Sequence, residues 1–216
     1  MDSTFYYYLL GKIFEHLRIT FTALFLATAL SIPLGILLAK TGKQVLASAL
    51  LRIVAAIQTV PGLALIALMT AFFVWIRPFF PIPTTGFVPG TLVLSVYAIL
   101  PILHSTYGGI RGIGRPLTEV ARGMGMTRLQ MLYLVEFPLA LPEIFRGIRT
   151  ASIWTFGSAT LTSLIGSGGL GDLILQGLRS MNPSLLCYGT IPLMVLAVAS
   201  DALIAKCASK CVQRRL

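Results

Sequence analysis

Residues equipped for chemistry are few in this chain, and their spacing narrows what each can do. Cys207 and Cys211 stand four apart, so on a helix they would share one face, but a metal site needs further ligands and the only histidines are His16 and His104. With Cys187 the cysteine count is odd, which gives no disulfide framework, and Cys207 and Cys211 read as spectator thiols. Gly166-Ser167-Gly168-Gly169-Leu170-Gly171 matches G-x-G-x-x-G in form. A dinucleotide site needs a strand before that motif and a helix after it, whereas here a long apolar stretch precedes it, so it reads as a glycine-rich turn. Asp201 lies near the end of another apolar run, where an acidic group either reaches the interface or pairs with a cation such as Lys206. His104 reads as a packing residue rather than a proton relay. The chain has no G-x-x-x-x-G-K-[ST] to cradle ATP, no H-E-x-x-H, no G-x-S-x-G and no paired carboxylates within an apolar stretch.

One polar stretch does carry a pattern. From Glu119 to Pro138 the chain reads as two short helices joined at a glycine. Leu117 to Gly123 forms the first, and Gly125 supplies the turn, because glycine adopts φ > 0 without a steric penalty. Thr127 and Gln130 then fit a capping box that opens the second helix. Pro138 ends it, since proline biases the residue before it away from the helical region. Glu119 sits early in the first helix, where its charge suits the helix dipole. A compact helix–turn–helix held between two apolar segments is a docking element.

The elements that must position this stretch are membrane helices. The chain is 56% hydrophobic and 11% charged, with a mean hydropathy of +0.86. Soluble domains carry roughly 25% charged residues, so a water-soluble fold is excluded. The predicted fold is an all-α integral membrane domain covering 1–216, with spans at about 19–39, 53–76, 88–107, 150–166 and 185–205 and the docking loop at 117–138, between the third and fourth. The aromatic-rich segment Met1 to Leu17 is predicted to lie at the lipid–water interface, and it lacks the marks of a cleaved signal peptide. The second span is interrupted at Gln58-Thr59-Val60-Pro61-Gly62, and a broken helix is tolerated where it faces protein or a water-filled cavity. That makes Gln58 and Pro61 candidates for a conduction path, with a packing kink as the plainer alternative. Arg77 to Pro89, with four prolines, reads as an extended loop. The fourth span is rich in small and hydroxyl residues from Ala151 to Thr160 and should be central in the bundle.

The formal charge of +10 has a membrane explanation. Of 17 basic residues, 13 fall in the loop after the first span (Lys40, Lys43, Arg52), in and around the docking loop, and in the tail (Lys206 to Arg215); Lys12, Arg18, Arg77 and Arg179 fall on the other side. The positive-inside rule then predicts five spans with the N-terminus outside and the C-terminus in the cytoplasm, so that the docking loop faces ATP. No basic run with interleaved aromatics points to nucleic acid.

Glu119, Ala121, Gly125 and Pro138 resemble the signature of the membrane subunits of bacterial ABC importers, with Val120, Val135 and Phe137 departing from it in bulk but not in apolar character. Five spans with that loop between the third and fourth look like the small methionine-importer-type permeases. Ile57-Gln58-Thr59-Val60-Pro61, Leu100-Pro101-Ile102-Leu103, Tyr107-Gly108-Gly109-Ile110-Arg111-Gly112, Gly147-Ile148-Arg149-Thr150-Ala151 and the run from Ala159 to Asp172 are similar to the osmoprotectant subgroup. The resemblance implies a permease of the bacterial cytoplasmic membrane importing glycine betaine, carnitine, choline or proline betaine. It also implies a second permease subunit, identical or related, a cytoplasmic ATPase subunit that holds ATP and magnesium, and an extracytoplasmic binding protein. The docking residues would be Glu119, Ala121, Gly123, Gly125, Thr127 and Pro138. A quaternary ammonium donates no hydrogen bond and is recognised by aromatic faces, which adds Tyr97, Trp154 and Phe156 to the path candidates. The alternatives are a methionine or other amino-acid importer and an ATP-independent secondary transporter. The latter would want buried ionisable groups and two related halves, neither of which is evident.

Overall fold

The computed structural model describes residues 3–41 and 44–213 of the chain, so Lys43, Arg214 and Arg215 of the basic groups lie outside the described residues. The described chain is helical, with no strand. Helix α1 runs Ser3–Lys40, α2 Gln44–Gln58, α3 Gly62–Ile76 and α4 Phe87–Arg111. Next come α5 Arg115–Gly123, α6 Arg128–Met131, a π-helical turn Leu132–Glu136 and α7 Phe137–Thr162. A 3₁₀ turn Ser163–Ile165, α8 Leu170–Arg179 and α9 Pro183–Gln213 complete the chain.

The core is the seam where α1, α4 and α7 meet. Alanine dominates it: Ala27, Ala98 and Ala151 are buried with Leu24 and Ile102 at mid-height, and Ala23 and Ala159 lie with Ile19 and Leu94 towards one end. A β-carbon at Gly147 on α7 would lie 2.6 Å from Ser105 Cβ and 2.7 Å from the Pro101 carbonyl oxygen of α4. Small side chains let the backbones approach, which is how membrane helices gain packing without a hydrophobic driving force. The central place expected for the fourth span is therefore what the fold shows. Helix α9 lies outside this seam, against α7 and α8.

The structure departs from the sequence reading in several places. The aromatic N-terminal segment is not a separate interfacial element: α1 is one helix of 38 residues, about 57 Å at 1.5 Å per residue. Its charges do not break it because Lys12 pairs with Glu15 at 3.0 Å and with Asp172 at 2.7 Å. The expected second span is two 15-residue helices, α2 and α3, meeting at 102°. Each is about 22 Å long, short of a hydrocarbon core of roughly 30 Å. Pro89 belongs to the first turn of α4, where a missing N–H is harmless, so the proline-rich loop closes before it. Helix α8 was not expected at all. By length and composition α1, α4 and α9 can each cross a membrane, and the bent pair α2–α3 can serve as a fourth crossing. Helix α7 is 26 residues long but carries Glu143, Arg146 and Arg149.

Candidate functional site

Basic groups gather at the two ends of the bundle, while Arg146 and Arg149 lie along α7 between them. At one end, Arg18 lies over the Phe87 ring at 4.3 Å and Lys12 reaches Asp172, at the starts of α4 and α8. At the other end are Lys40, Arg111 and the polar stretch α5–α6.

That polar stretch is built from local rules. Helix α5 opens on Pro116 in its first turn and closes in a paired turn: Gly125 N donates to Arg122 O at 3.0 Å and Met126 N to Ala121 O at 3.2 Å. This is a Schellman motif, and Gly125 takes its left-handed position with φ +79°. Thr127 caps α6: its hydroxyl accepts from Gln130 N at 3.3 Å while its own N–H donates to Gln130 Oε1 at 2.8 Å, the predicted capping box. Two expectations fail. Helix α5 begins at Arg115, so Glu119 lies in the second turn, where the dipole argument no longer applies. Pro138 ends nothing: it sits in the first turn of α7, and the chain passes through it by a π turn in which Phe137 N–H donates to Leu132 O, five residues back. Proline has no N–H to continue the α ladder, and the wider turn absorbs the gap.

Ala121 is buried, while Glu119, Gly123, Gly125 and Thr127 are exposed and Pro138 is half-buried. Leu117, Val120 and Met124 are all more than half exposed, and at spacings of three and four they form one apolar stripe on α5. The reading from sequence missed the root of this element. Glu136, in the π turn, is buried and its carboxylate is held by the Lys40 ammonium at the end of α1. A lone acid beside a proline at the start of an apolar helix, with a lysine ending another, was the available signal.

The path candidates divide. The α2–α3 elbow is tied to α4 by two bonds: Gln58 Nε2 donates to Tyr97 O at 2.7 Å, and the Tyr97 hydroxyl donates to Val60 O at 2.7 Å. The Tyr97 hydroxyl thus satisfies the Val60 carbonyl just before the exposed Pro61, and the Thr59 hydroxyl donates to Ala56 O at 2.7 Å. Gln58 and Trp154 line one cavity of about 290 Å³ with His104, Ser105, Arg146 and Thr150. Trp154 is half exposed there. Phe156 is fully buried on the far side of α7, edge-on to Phe21 and close to His16, whose Nε2 donates to the Phe156 carbonyl at 3.2 Å. His104, read as packing, is exposed on this cavity. Asp201 pairs with Arg149, not Lys206, through two bonds of 2.7 Å each between α9 and α7. The cysteines are exposed, and no cluster fit to hold a metal occurs among the described residues.

Comparison with known proteins fixes what this architecture is. The model of the binding-protein-dependent transport system inner membrane component family matches residues 31–216. The chain belongs to that family. It is a permease subunit of an ABC transporter, a family in which ATP is hydrolysed by a partner ATPase. It is 41% identical over 197 residues to the choline transport system permease protein OpuBB of Bacillus subtilis, covering 91% of this chain and 85% of that one. The carnitine transport permease protein OpuCB of Listeria monocytogenes is 39% identical over 198 residues, covering 92% and 85%. The osmoprotectant import permease protein OsmW of Salmonella typhimurium is 34% identical, covering 91% and 88%. Among solved structures, an inward-facing conformation of the MetNI methionine ABC transporter shares the fold with a TM-score of 0.80 at 24% identity, over 100% of both chains. The chain therefore shares the helical fold of that importer's membrane subunit along its whole length.

Proposed function

We propose that this permease imports osmoprotectants of the glycine betaine, carnitine, choline or proline betaine class, driven by a cytoplasmic ATPase that docks on α5 and α6. The observation that carries the docking role is the exposed apolar stripe Leu117, Val120 and Met124, fixed in angle by the Gly125 turn at the basic end of the bundle. A motor biases a two-state transporter only through contacts that differ between the states, and this stripe is the protruding element that can make them. In this reading α1, the α2–α3 pair, α4, α7 and α9 make five crossings, with the N-terminus outside and the C-terminus in the cytoplasm. ATP and magnesium are held by the ATPase. A second permease subunit, identical or related, completes the path, and an extracytoplasmic binding protein delivers the substrate. Glu119, Ala121, Gly123, Gly125, Thr127 and Pro138 form or support the docking element. Gln58, Pro61, Tyr97 and Trp154 shape the path beside α4. The relatives named for choline, carnitine and osmoprotectants support the substrate class.

The test is the reconstituted importer, with pull-down of the ATPase and substrate-stimulated ATP hydrolysis as readouts. Gly125→Val strains the left-handed turn by roughly 1–3 kcal/mol, and Glu119→Lys reverses an exposed charge. Both variants should insert normally and lose at least tenfold in stimulated hydrolysis. Wild-type docking and hydrolysis in both would remove the coupling role from this stretch. Uptake measured over a panel of betaines, choline, proline and methionine decides the substrate, and methionine alone as substrate would replace the osmoprotectant reading.

A further inference from the structure

Two cavities adjoin at the root of the docking element, and they differ in character. The first, about 410 Å³, is lined by Lys40, Arg122, Arg128, Leu129, Met131 and Leu132. The second, about 530 Å³, is lined by Ile32, Pro33, Ile36, Leu37, Tyr133 and Phe137, together with Lys40 and Leu132. Lys40 and Leu132 belong to both, so a basic chamber opens into an apolar groove that runs up the outer face of α1. From Ile32 to Lys40 the groove extends about 12 Å along the helix. Among the described residues Arg122 and Arg128 form no ion pair, no acid lines either cavity, and the buried Glu136 that holds Lys40 is the one carboxylate paired with a lining cation. Three cations against one carboxylate leave a net positive chamber beside a strip of aliphatic surface.

The occupant that fits both halves is an amphiphile with an anionic head and an acyl tail. We propose that the chamber and groove bind an anionic phospholipid, its phosphate between Arg122 and Arg128 and its tail along Ile32, Ile36 and Leu37. The geometry of α5 leaves this face free. Arg122 lies five residues from Leu117 and two from Val120, which at 100° per residue puts it on the side of the helix opposite the exposed apolar stripe. One face of α5 can therefore meet the ATPase while the other meets lipid. Because the lipid would touch α1, α5 and α6 together, the composition of the leaflet would bear on the angle of the docking element. This rests on the proposed orientation only in assigning the lipid to the cytoplasmic leaflet.

The experiment uses the full-length chain, purified in detergent and incubated with phosphatidylglycerol or phosphatidylcholine, and reads retained lipid by native mass spectrometry. The wild type should retain phosphatidylglycerol in clear preference. Each of Arg122→Gln and Arg128→Gln should lower that preference roughly fivefold, the weight of one basic residue at an anionic surface. Leu37→Trp, at an exposed position, should fill the groove and lower retention of both lipids. Lys40 is left intact because its removal would strand Glu136. Equal retention of the two lipids overturns the proposal, as do arginine variants that behave like wild type. So does a Leu37→Trp variant that keeps its phosphatidylglycerol, since the site would then have no tail groove. Displacement of the lipid by millimolar inorganic phosphate would identify a free-anion site instead, also overturning it. Since no ATPase or substrate takes part, failure here leaves the importer reading standing, and failure of that reading leaves this result interpretable.

Discussion

The two ends of the bundle solve the same problem, how to leave a long helix and turn back, by opposite means. At the end bearing α8, the glycine-rich turn is drawn into the body of the protein. Gly169 N–H donates to the Glu15 carboxylate at 2.9 Å, Lys12 bridges Glu15 and Asp172, and the Ser163 hydroxyl donates to Gly168 O at 2.8 Å. Gly169 has φ +89°, and a β-carbon there would stand 3.0 Å from His16 Nδ1 and 3.3 Å from His16 Cα. At the other end, α5 and α6 satisfy themselves. Their capping box and Schellman turn use only their own atoms, and a β-carbon at Gly123 or Gly125 would meet nothing. From α1, the Lys40–Glu136 pair and the packing of Leu132 and Phe137 on the cluster around Ala39 root this element in the bundle. A turn that is packed on all sides reads as part of the scaffold. One that is complete in itself and exposed is free to take a partner.

Substitutions can break this contrast. The largest loss of stability should come from Gly169→Val, which combines a disallowed backbone with overpacking against α1, at about 3 kcal/mol or more. Unfolding in detergent measures it, and a midpoint within a degree of wild type would mean that the turn is not the fixed end. Next is Lys40→Met, which leaves the buried Glu136 carboxylate without its cation and should cost about 1–3 kcal/mol. The same variant should loosen α6 and the π turn, seen as faster amide exchange from Arg128 to Phe137, and unchanged exchange there would detach the pair from the docking element. Gly125→Ala isolates backbone strain with no packing change and should cost about 1 kcal/mol, well below Gly169→Val. If the two glycines cost the same, packing is not what separates the ends.

The smallest effect sharpens the comparison from the other side. Helix α8 also closes in a Schellman turn, with Asn182 N donating to Gly177 O at 2.9 Å, but its left-handed residue is Met181, φ +50°. Met181→Gly should relieve that strain and stabilise the fold by about 0.5 kcal/mol, the relief being partly offset by the freer unfolded chain. A destabilised variant would show that the exposed methionine side chain makes a contact of its own.

What was legible in the sequence depended on the range of the interaction. The capping box, the left-handed Gly125 and the break at Gln58–Gly62 involve residues within five positions of each other, and each was read correctly. Pro138 was misread because a proline near a helix boundary has two uses, ending one helix or opening the next, and its neighbours alone do not choose. Arg149 with Asp201, and Tyr97 with Val60, join residues on different helices. In each case the need for a partner was visible in the sequence, but not which partner would meet it.

By itself the sequence determined that this chain lives in a membrane, that the chain breaks at Gln58–Gly62 and turns at Gly125, and which exposed stretch carries a docking signature, because hydropathy, proline, glycine and capping chemistry act locally. Only the tertiary structure decided the rest. It made α1 one helix, since Lys12 finds its counter-charges in Glu15 and in Asp172, 160 residues away. It bent α2–α3 through 102° and pinned the elbow on Tyr97. It buried Phe156 while leaving Trp154, two residues earlier, on a cavity, because the seam with α1 and α4 fixes which face of α7 is inside.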